Sequence, residues 1–338
     1  MKKPLILAIE TSCDDTSAAL VDGNCDVLSN VISSQEEVHL KYGGIVPELA
    51  SREHIRTLIP IVEMALEKAD VNIKDVKAVA VSANPGLIGS LLVGVSFAKG
   101  LAFSLKKPLI AVNHIFGHVF ANFLEHKDIK FPFLSLIVSG GHTELVIFSS
   151  AIKYTILGKT VDDAAGEAFD KIGKLLGLPY PGGPHIDALA IGGNKSAIEF
   201  PLPMLKHDNF DFSFSGLKTA GMLYLKGRDE MNETQIHDFS SSFQYAIVEV
   251  LFRKTIRALE EHSIKTLLLA GGVAANSELR STFTQYCAGH NINIYYPTAE
   301  YCTDNAAMIG AAAQFKYINK KFASLDLNAS AVKGMKLL

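Results

Sequence analysis

The sequence predicts a two-lobed α/β protein, and three observations carry that prediction. Short apolar runs of strand length alternate with longer stretches of helical periodicity along the whole chain. At 338 residues the chain exceeds one typical domain and comfortably makes two. The plan of strand, small polar turn and strand occurs at residues 5–21 and returns at 133–147, about 130 residues later.

The first strand is read at 4–10, the polar turn at 11–16 and the second strand at 17–21. A third strand follows the Asp22-Gly23-Asn24 turn, at 26–32. Pro47 is placed to start a helix that runs to about Ala69, with apolar positions at Ile55, Leu58, Ile59, Val62 and Leu66. Pro60 falls inside it and predicts a kink or a break into two helices. Residues 76–82 make another strand, ended by Asn84-Pro85-Gly86, and a helix rich in small residues starts near Ile88. Residues 108–112 read as a buried strand that leads into Asn113-His114-Ile115-Phe116-Gly117-His118.

The pattern then restarts with strands at 133–138, 143–147 and 154–157 around the Ser139-Gly140-Gly141-His142 turn. A helix follows from about Ala164, an irregular stretch covers 193–232, and a long helix spans roughly 236–262. Strands at 266–270 and 292–296 flank a helix beginning near Asn276, and a last helix covers 306–317. The predicted division is therefore 1–130 for the first lobe and 131–322 for the second, with a helical insertion near 193–262 and a short basic tail at 323–338. A ligand cleft is expected between two such lobes.

A hydrophobic fraction of 48% and a charged fraction of 20% describe a chain with a large core. The net charge of −3 supplies no global attraction for nucleic acid, so any RNA contact must be local or shared with a partner. The four cysteines (Cys13, Cys25, Cys287, Cys302) form no CxxC pair, which points to a reducing cytoplasm and away from structural zinc. The apolar run at the N-terminus is broken by Glu10, too early for a signal peptide. The stretch 87–105 is interrupted by Lys99 and small residues and is read as a buried helix, so no membrane is expected. There is no GxxxxGK[ST] and no GxGxxG after the first strand, which excludes a P-loop and disfavours a dinucleotide fold.

His114 and His118 stand at i and i+4 if a helix starts at Asn113, which puts both imidazoles on one face. Such a pair suits one transition-metal ion, while a bland helix with two ordinary histidines is the alternative. Asp304 either caps the helix beginning at Ala306 or closes that site.

Several glycine-rich or acidic segments ask for one explanation together. They are Ser139-Gly-Gly-His-Thr143, Asp162 to Asp170, Tyr180-Pro-Gly-Gly-Pro184, Asp211 to Gly216, Gly271 to Asn276 and Cys302-Thr-Asp-Asn305. With Ile9-Glu10-Thr-Ser-Cys-Asp14 and Gly43 to Arg52, they resemble the tRNA N6-adenosine threonylcarbamoyltransferase family, formerly described as O-sialoglycoprotein endopeptidases. The resemblance spans nearly the whole chain. It implies two similar lobes of the actin, Hsp70 and sugar-kinase superfamily. It also implies transfer of a threonylcarbamoyl group from threonylcarbamoyl-AMP to N6 of the adenosine 3′ of the anticodon (position thirty-seven), in tRNAs reading A-starting codons.

Carried over residue by residue, the resemblance implies one divalent metal, Fe(2+) favoured and Zn(2+) the alternative, on His114, His118 and Asp304. Val138, Ser139, Gly140, Gly141, His142, Asp170, Gly183, Asp187 and Asn276 would line the substrate site. Glu10, Asp14 or Asp15 would accept the amine proton or merely order their turn. The implied partners are tRNA, a small ATPase and a catalytically silent paralogue. The chain departs from commoner members at Asn84, Asp15 and Phe116, where Gly, Glu and Glu are usual, and none of these removes a ligand.

Two other activities compete. A metalloprotease of the HExxH type needs Glu directly after the first His, and Ile115 stands there. An ATPase or sugar kinase of the same superfamily binds Mg²⁺ through oxygen ligands and has no use for paired imidazoles. Two surface expectations complete the reading. The small residues Gly89, Ser90, Gly94, Ser96 and Gly100 predict close docking of a partner helix. Lys316, Lys320, Lys321, Lys333 and Lys336, interleaved with Phe315, Tyr317 and Phe322, predict a tRNA contact.

Overall fold

A computed structural model describes residues 4–40, 42, 44–228 and 231–331. Gly43, Lys333 and Lys336 lie outside the described residues. The chain divides into two units, residues 1–129 with 297–338, and residues 130–296.

The first unit is built on β1 (Ile6–Glu10), β2 (Thr16–Val21), β3 (Val27–Ser33), β4 (Ala78–Asn84) and β5 (Leu109–Asn113), in the order β3-β2-β1-β4-β5. The first three strands meander antiparallel, while β4 and β5 run parallel to β1. The strands β1, β2, β4 and the edge strand β5 are buried at every position, so they read as largely apolar runs instead of alternating ones. Between β3 and β4 come α1 (Glu36–Leu40) and α2 (Pro47–Lys68), between β4 and β5 comes α3 (Ile88–Leu105), and α4 (His114–Phe120) and α5 (Asn122–Glu125) follow β5. Helix α2 is continuous through Pro60. Pro60 and Arg56, whose carbonyl loses its i+4 donor, are both exposed residues, and the break suggested by the sequence does not occur.

The second unit repeats this frame with β6 (Phe133–Val138), β7 (Thr143–Ser150), β8 (Lys153–Lys159), β9 (Thr266–Ala270) and β10 (Asn293–Tyr295), in the order β10-β9-β6-β7-β8. Its pairing directions match those of the first sheet strand for strand. Helices α6 (Ala165–Leu175), α7 (Gly182–Ala190), α8 (Ser215–Leu225) and α9 (Glu233–Glu261) lie between β8 and β9, and α10 (Ser277–His290) lies between β9 and β10. The long α9 buries Phe239, Phe243, Ile247, Val250 and Leu251. It leads into β9 as α2 leads into β4. The added material in this unit is therefore the stretch before α9, where the sequence reading extended the insertion to 262.

After β10 the chain returns to the first unit through α11 (Ala299–Cys302) and α12 (Ala306–Ile318). The sequence reading kept 297–322 in the second lobe. The return is fixed by α12 packing on β1 and α4, with Gln314 Nε2 donating to the Pro4 and Val21 carbonyls at 3.1 and 2.9 Å. The described residues beyond 322 are tied to this unit too. Ala323 N–H bonds Leu109 O at 2.8 Å, and Ser330 N–H bonds Ala83 O at 3.0 Å.

Two surface expectations change. Lys316 is buried and its ammonium donates to Ala111 O at 2.7 Å, while Phe315 packs on Phe120 and Phe123, so neither is offered to RNA. In α3 part of the small-residue set serves the unit's own packing, since a side chain at Gly94 would collide with Thr11 and one at Gly89 with Ser51, while Ser96 and Gly100 are exposed. Helix α3 is long and apolar enough to cross a membrane, yet it buries Leu91, Val95, Ala98 and Ala102 and exposes Ile88, Leu92 and Phe103. The helix expected to be buried is thus buried on one face only.

Candidate metal centre

The carboxyl ends of β1, β4 and β5 lie side by side and carry Glu10, Ser82 and, one residue past β5, His114. Asn113 caps α4 by accepting the Phe116 N–H at 3.1 Å, so the helix starts immediately and His114 and His118 share its inner face. Their Nε2 atoms stand 3.1 Å apart. Helix α12 approaches α4 closely at Gly117, where an added methyl would press on Ile309 at 2.9 Å.

The start of α12 is capped by Asn305, which accepts the Met308 N–H at 3.0 Å, and Ala306 N–H donates to Ser17 Oγ at 2.9 Å. Capping therefore does not occupy Asp304. Its Oδ1 lies 3.4 Å from His114 Nε2 and 3.3 Å from His118 Nε2. One donor atom from each of the three residues falls within 4.8 Å of the others. Two imidazole nitrogens and a carboxylate oxygen suit Fe(2+) or Zn(2+). The facing Nε2 atoms also require either a proton or a shared cation between the rings. The donor set fits a single divalent ion.

Burial alone would lower the His114 pKa, but Asp304 and then Glu10 pull it up further, to about 9. Without a cation the site neutralises itself by protonating that ring, so metal binding must release a proton. Burial, with Asp304 and Asp14 beside it, pushes the Cys13 thiol well up, which keeps it protonated and poor as a ligand or nucleophile.

The three acidic candidates of the first hairpin separate here. Glu10 is wholly buried and its carboxylate is engaged: Oε1 accepts from Ser12 N–H at 2.5 Å and Ser82 Oγ at 2.9 Å, and Oε2 meets His114 Nδ1 at 2.9 Å. Asp14 and Asp15 are half-buried in the turn. Burial, then Asp14 and Asp304, raise the Asp15 carboxyl to about 7. The turn itself rests on His54, whose Nε2 donates to Cys13 O at 3.0 Å while Nδ1 accepts from Thr16 Oγ1 at 2.7 Å. Sequence reasoning missed Ser82 and His54. The signal for Ser82 was a lone hydroxyl ending an otherwise apolar strand, and His54 carried none.

The nine expected substrate residues all fall in the second unit, around the ends of β6 and β9. The turn after Val138 closes through Ser139 N–H to His142 O at 2.8 Å, with Gly140 and Gly141 at its tip. Gly166 lets α6 start against this turn, since a Cβ there would sit 2.5 Å from Ser139 O. Gly271, at φ +88, passes Val138 O where a Cβ would come within 2.5 Å. Asp170 Oδ1 accepts from Gly182 N–H at 2.8 Å beside Gly183, and burial raises its pKa. Asp187 accepts from both the N–H and the hydroxyl of Ser277, at 3.0 and 2.7 Å. Asn276 caps α10 through Leu279 N–H at 2.9 Å and donates to Gln244 Oε1 at 2.7 Å. Gln244, buried mid-helix on α9, is the residue missed there.

Comparison with known proteins places this geometry. The profile of a family described as tRNA N6-adenosine threonylcarbamoyltransferase matches residues 26–311. A protein of that name from Clostridioides difficile is 51% identical over 330 residues, 97% of this chain and 98% of its own length. Another, from Syntrophomonas wolfei, is 48% identical over 329 residues, 97% of each chain. Among solved structures, HypF of T. kodakarensis superposes with a TM-score of 0.63 at 14% identity, covering 96% of this chain and 49% of that one. Component A of the Acidaminococcus fermentans (R)-2-hydroxyglutaryl-CoA dehydratase gives 0.55 at 12%, covering 94% and 99%. Likenesses this remote in sequence show the fold alone.

Proposed function

This chain belongs to the tRNA N6-adenosine threonylcarbamoyltransferase family, and on that footing we propose which residues carry each part of the transfer. The enzyme is a transferase that modifies tRNA. The donor we assign is threonylcarbamoyl-AMP, and the acceptor is the adenosine 3′ of the anticodon (position thirty-seven) in tRNAs reading A-starting codons. The N6 nitrogen attacks the carbamoyl carbon and a C–N bond forms. The bond from that carbon to the phosphate oxygen of AMP breaks, AMP leaves with the electron pair, and the amine proton passes to a base.

The observation that carries this reading is the convergence of His114, His118 and Asp304 within 4.8 Å. A divalent ion held there, Fe(2+) or Zn(2+), would supply Lewis-acid polarisation to a substrate oxygen. Asp15 is assigned as the proton acceptor, because burial with Asp14 and Asp304 beside it raises its carboxyl to about 7 and the Glu10 carboxylate is already engaged. In the second unit Ser139 and His142 N–H close the turn on itself, and the Gly140 and Gly141 N–H groups at its tip are assigned to a phosphate. Asp170, Gly183, Asp187 and Asn276 are assigned to the nucleoside part of the donor.

The same donor set speaks against the competing activities. An ATPase or sugar kinase needs oxygen ligands for Mg²⁺. A zincin-type protease needs a carboxylate where Ile115 lies buried.

The reaction is assigned to the cytoplasm, with a small ATPase and a catalytically silent paralogue as partners. The paralogue is placed on the outer face of α2 and α3, where Ile55, Ile59, Ile88 and Leu92 are each more than half exposed. Ser96, on the same outer stripe, gives the test: Ser96→Trp should break co-purification, and a folded variant that still co-purifies removes the assignment. For the chemistry, mass spectrometry of hydrolysed tRNA should find no modified nucleoside with Asp304→Ala or His114→Ala. Wild-type levels in either variant would reject the site.

A further inference from the structure

We propose that Glu10 is a positioning residue for His114: it holds the Nδ1–H, so that Nε2 presents its lone pair toward His118 and Asp304. The inference rests on the metal reading above and deepens it. Glu10 ends β1 and His114 follows β5, with β4 between them, so the side chain must cross one strand to reach the ring. Ser82, on that middle strand, is small enough to be crossed and donates its hydroxyl to Oε1 at 2.9 Å. Ser12 N–H donates to the same oxygen at 2.5 Å. Oε2 is left to face Nδ1 at 2.9 Å, and among the described residues no Lys or Arg pairs with this wholly buried carboxylate.

A carboxylate can only accept, so Nδ1 must carry the proton and Nε2 is free to bind. The other contact of Nδ1, Ser12 Oγ at 3.0 Å, is a hydroxyl that can donate or accept and selects neither tautomer. His118 has no comparable holder, since its Nδ1 is buried with no hydrogen-bond partner. Glu10 thus makes the two imidazoles unequal: His114 is oriented from behind through Nδ1, while the polar contacts of His118 are at Nε2 alone.

Glu10→Gln inverts the instruction with almost no change of shape. Ser12 N–H is a fixed backbone donor, so the amide oxygen must face it, and the NH₂ group then faces Nδ1. The ring must answer with a lone pair at Nδ1 and a proton at Nε2, the nitrogen needed by the metal. Outer groups of this kind typically alter metal affinity by about 10–100-fold.

The test is Zn²⁺ and Co²⁺ binding by the full chain in competition with a chelator, for the wild type, Glu10→Gln and His118→Ala. A folded Glu10→Gln protein that binds at least about tenfold more weakly supports the inference, and wild-type affinity overturns it. His118→Ala checks the underlying reading separately: if it binds as the wild type does, the metal site itself is misplaced, whatever Glu10 does. Should Glu10→Gln not fold, ¹⁵N-histidine NMR of the Zn²⁺-loaded wild type decides. A proton on His114 Nδ1 supports the inference, and metal on Nδ1 overturns it.

Discussion

The two sheets have one topology and two chemistries. Reading β6 to β10 against β1 to β5, strand order and every pairing direction coincide. What differs is the residue at the end of each equivalent strand. In the first unit β1 ends in Glu10, β4 carries Ser82 near its end, and β5 delivers His114. In the second, β6 ends in Val138 before Ser139-Gly140-Gly141, and β9 ends in Ala270 before Gly271-Gly272. One frame therefore ends in side chains able to ligate a cation, and the other in glycine turns of bare backbone. The repeated sheet fixes where chemistry can happen, and a few strand-end residues decide which chemistry it is.

The largest expected effect is on the first unit's turn. Asp15→Asn should slow transfer by roughly 10²–10⁴-fold, the usual contribution of a general base. The Asp15 carboxyl is raised to about 7 by burial, Asp14 and Asp304. The base is the ionised form, so wild-type turnover should climb with pH and level off at or a little below about 7 once a cation offsets Asp304. A variant that keeps this limb would move the base elsewhere. Next in size is Gly271→Ala in the second unit, where φ is +88 and the added methyl would meet Val138 O. A loss of about 2–3 kcal/mol is expected, read as a fall of several degrees in Tm, with metal content unchanged because all three ligands belong to the first unit. Loss of metal in this variant would break the separation of roles.

The smallest effect is expected at Lys316. Burial, and then Lys321, lower its pKa from 10.5 to about 8. The unfolded chain therefore binds more protons between about pH 8 and 10.5, so this residue makes stability rise with pH across that window. Lys316→Met should abolish that rise and leave tRNA affinity unaltered. Weakened tRNA binding in a folded variant would return Lys316 to an RNA-facing role.

Much of this was legible in the sequence because it rests on local spacing. The i, i+4 histidines, the repeated hairpin plan and the Asn276 cap each needed only a few neighbouring residues. What stayed hidden depends on residues far apart in the chain. Asp304 and Asn305 are adjacent and both able to cap α12, and only the packed helix shows Asn305 doing so. Glu10 looks available on paper but is saturated by Ser12, Ser82 and a ring 104 positions away. The return of α12 to the first sheet follows from Gln314 and Ser17, which carry no pattern of their own.

The central claim is that the first unit's strand ends build a metal site and that the reaction depends on it. Metal analysis of anaerobically purified wild type, beside His118→Ala and Asp304→Ala, tests it most directly. One Fe or Zn per wild-type chain is expected, with none in either folded variant. A variant that keeps its full complement of metal, or a metal-free wild type that still modifies tRNA, would contradict it.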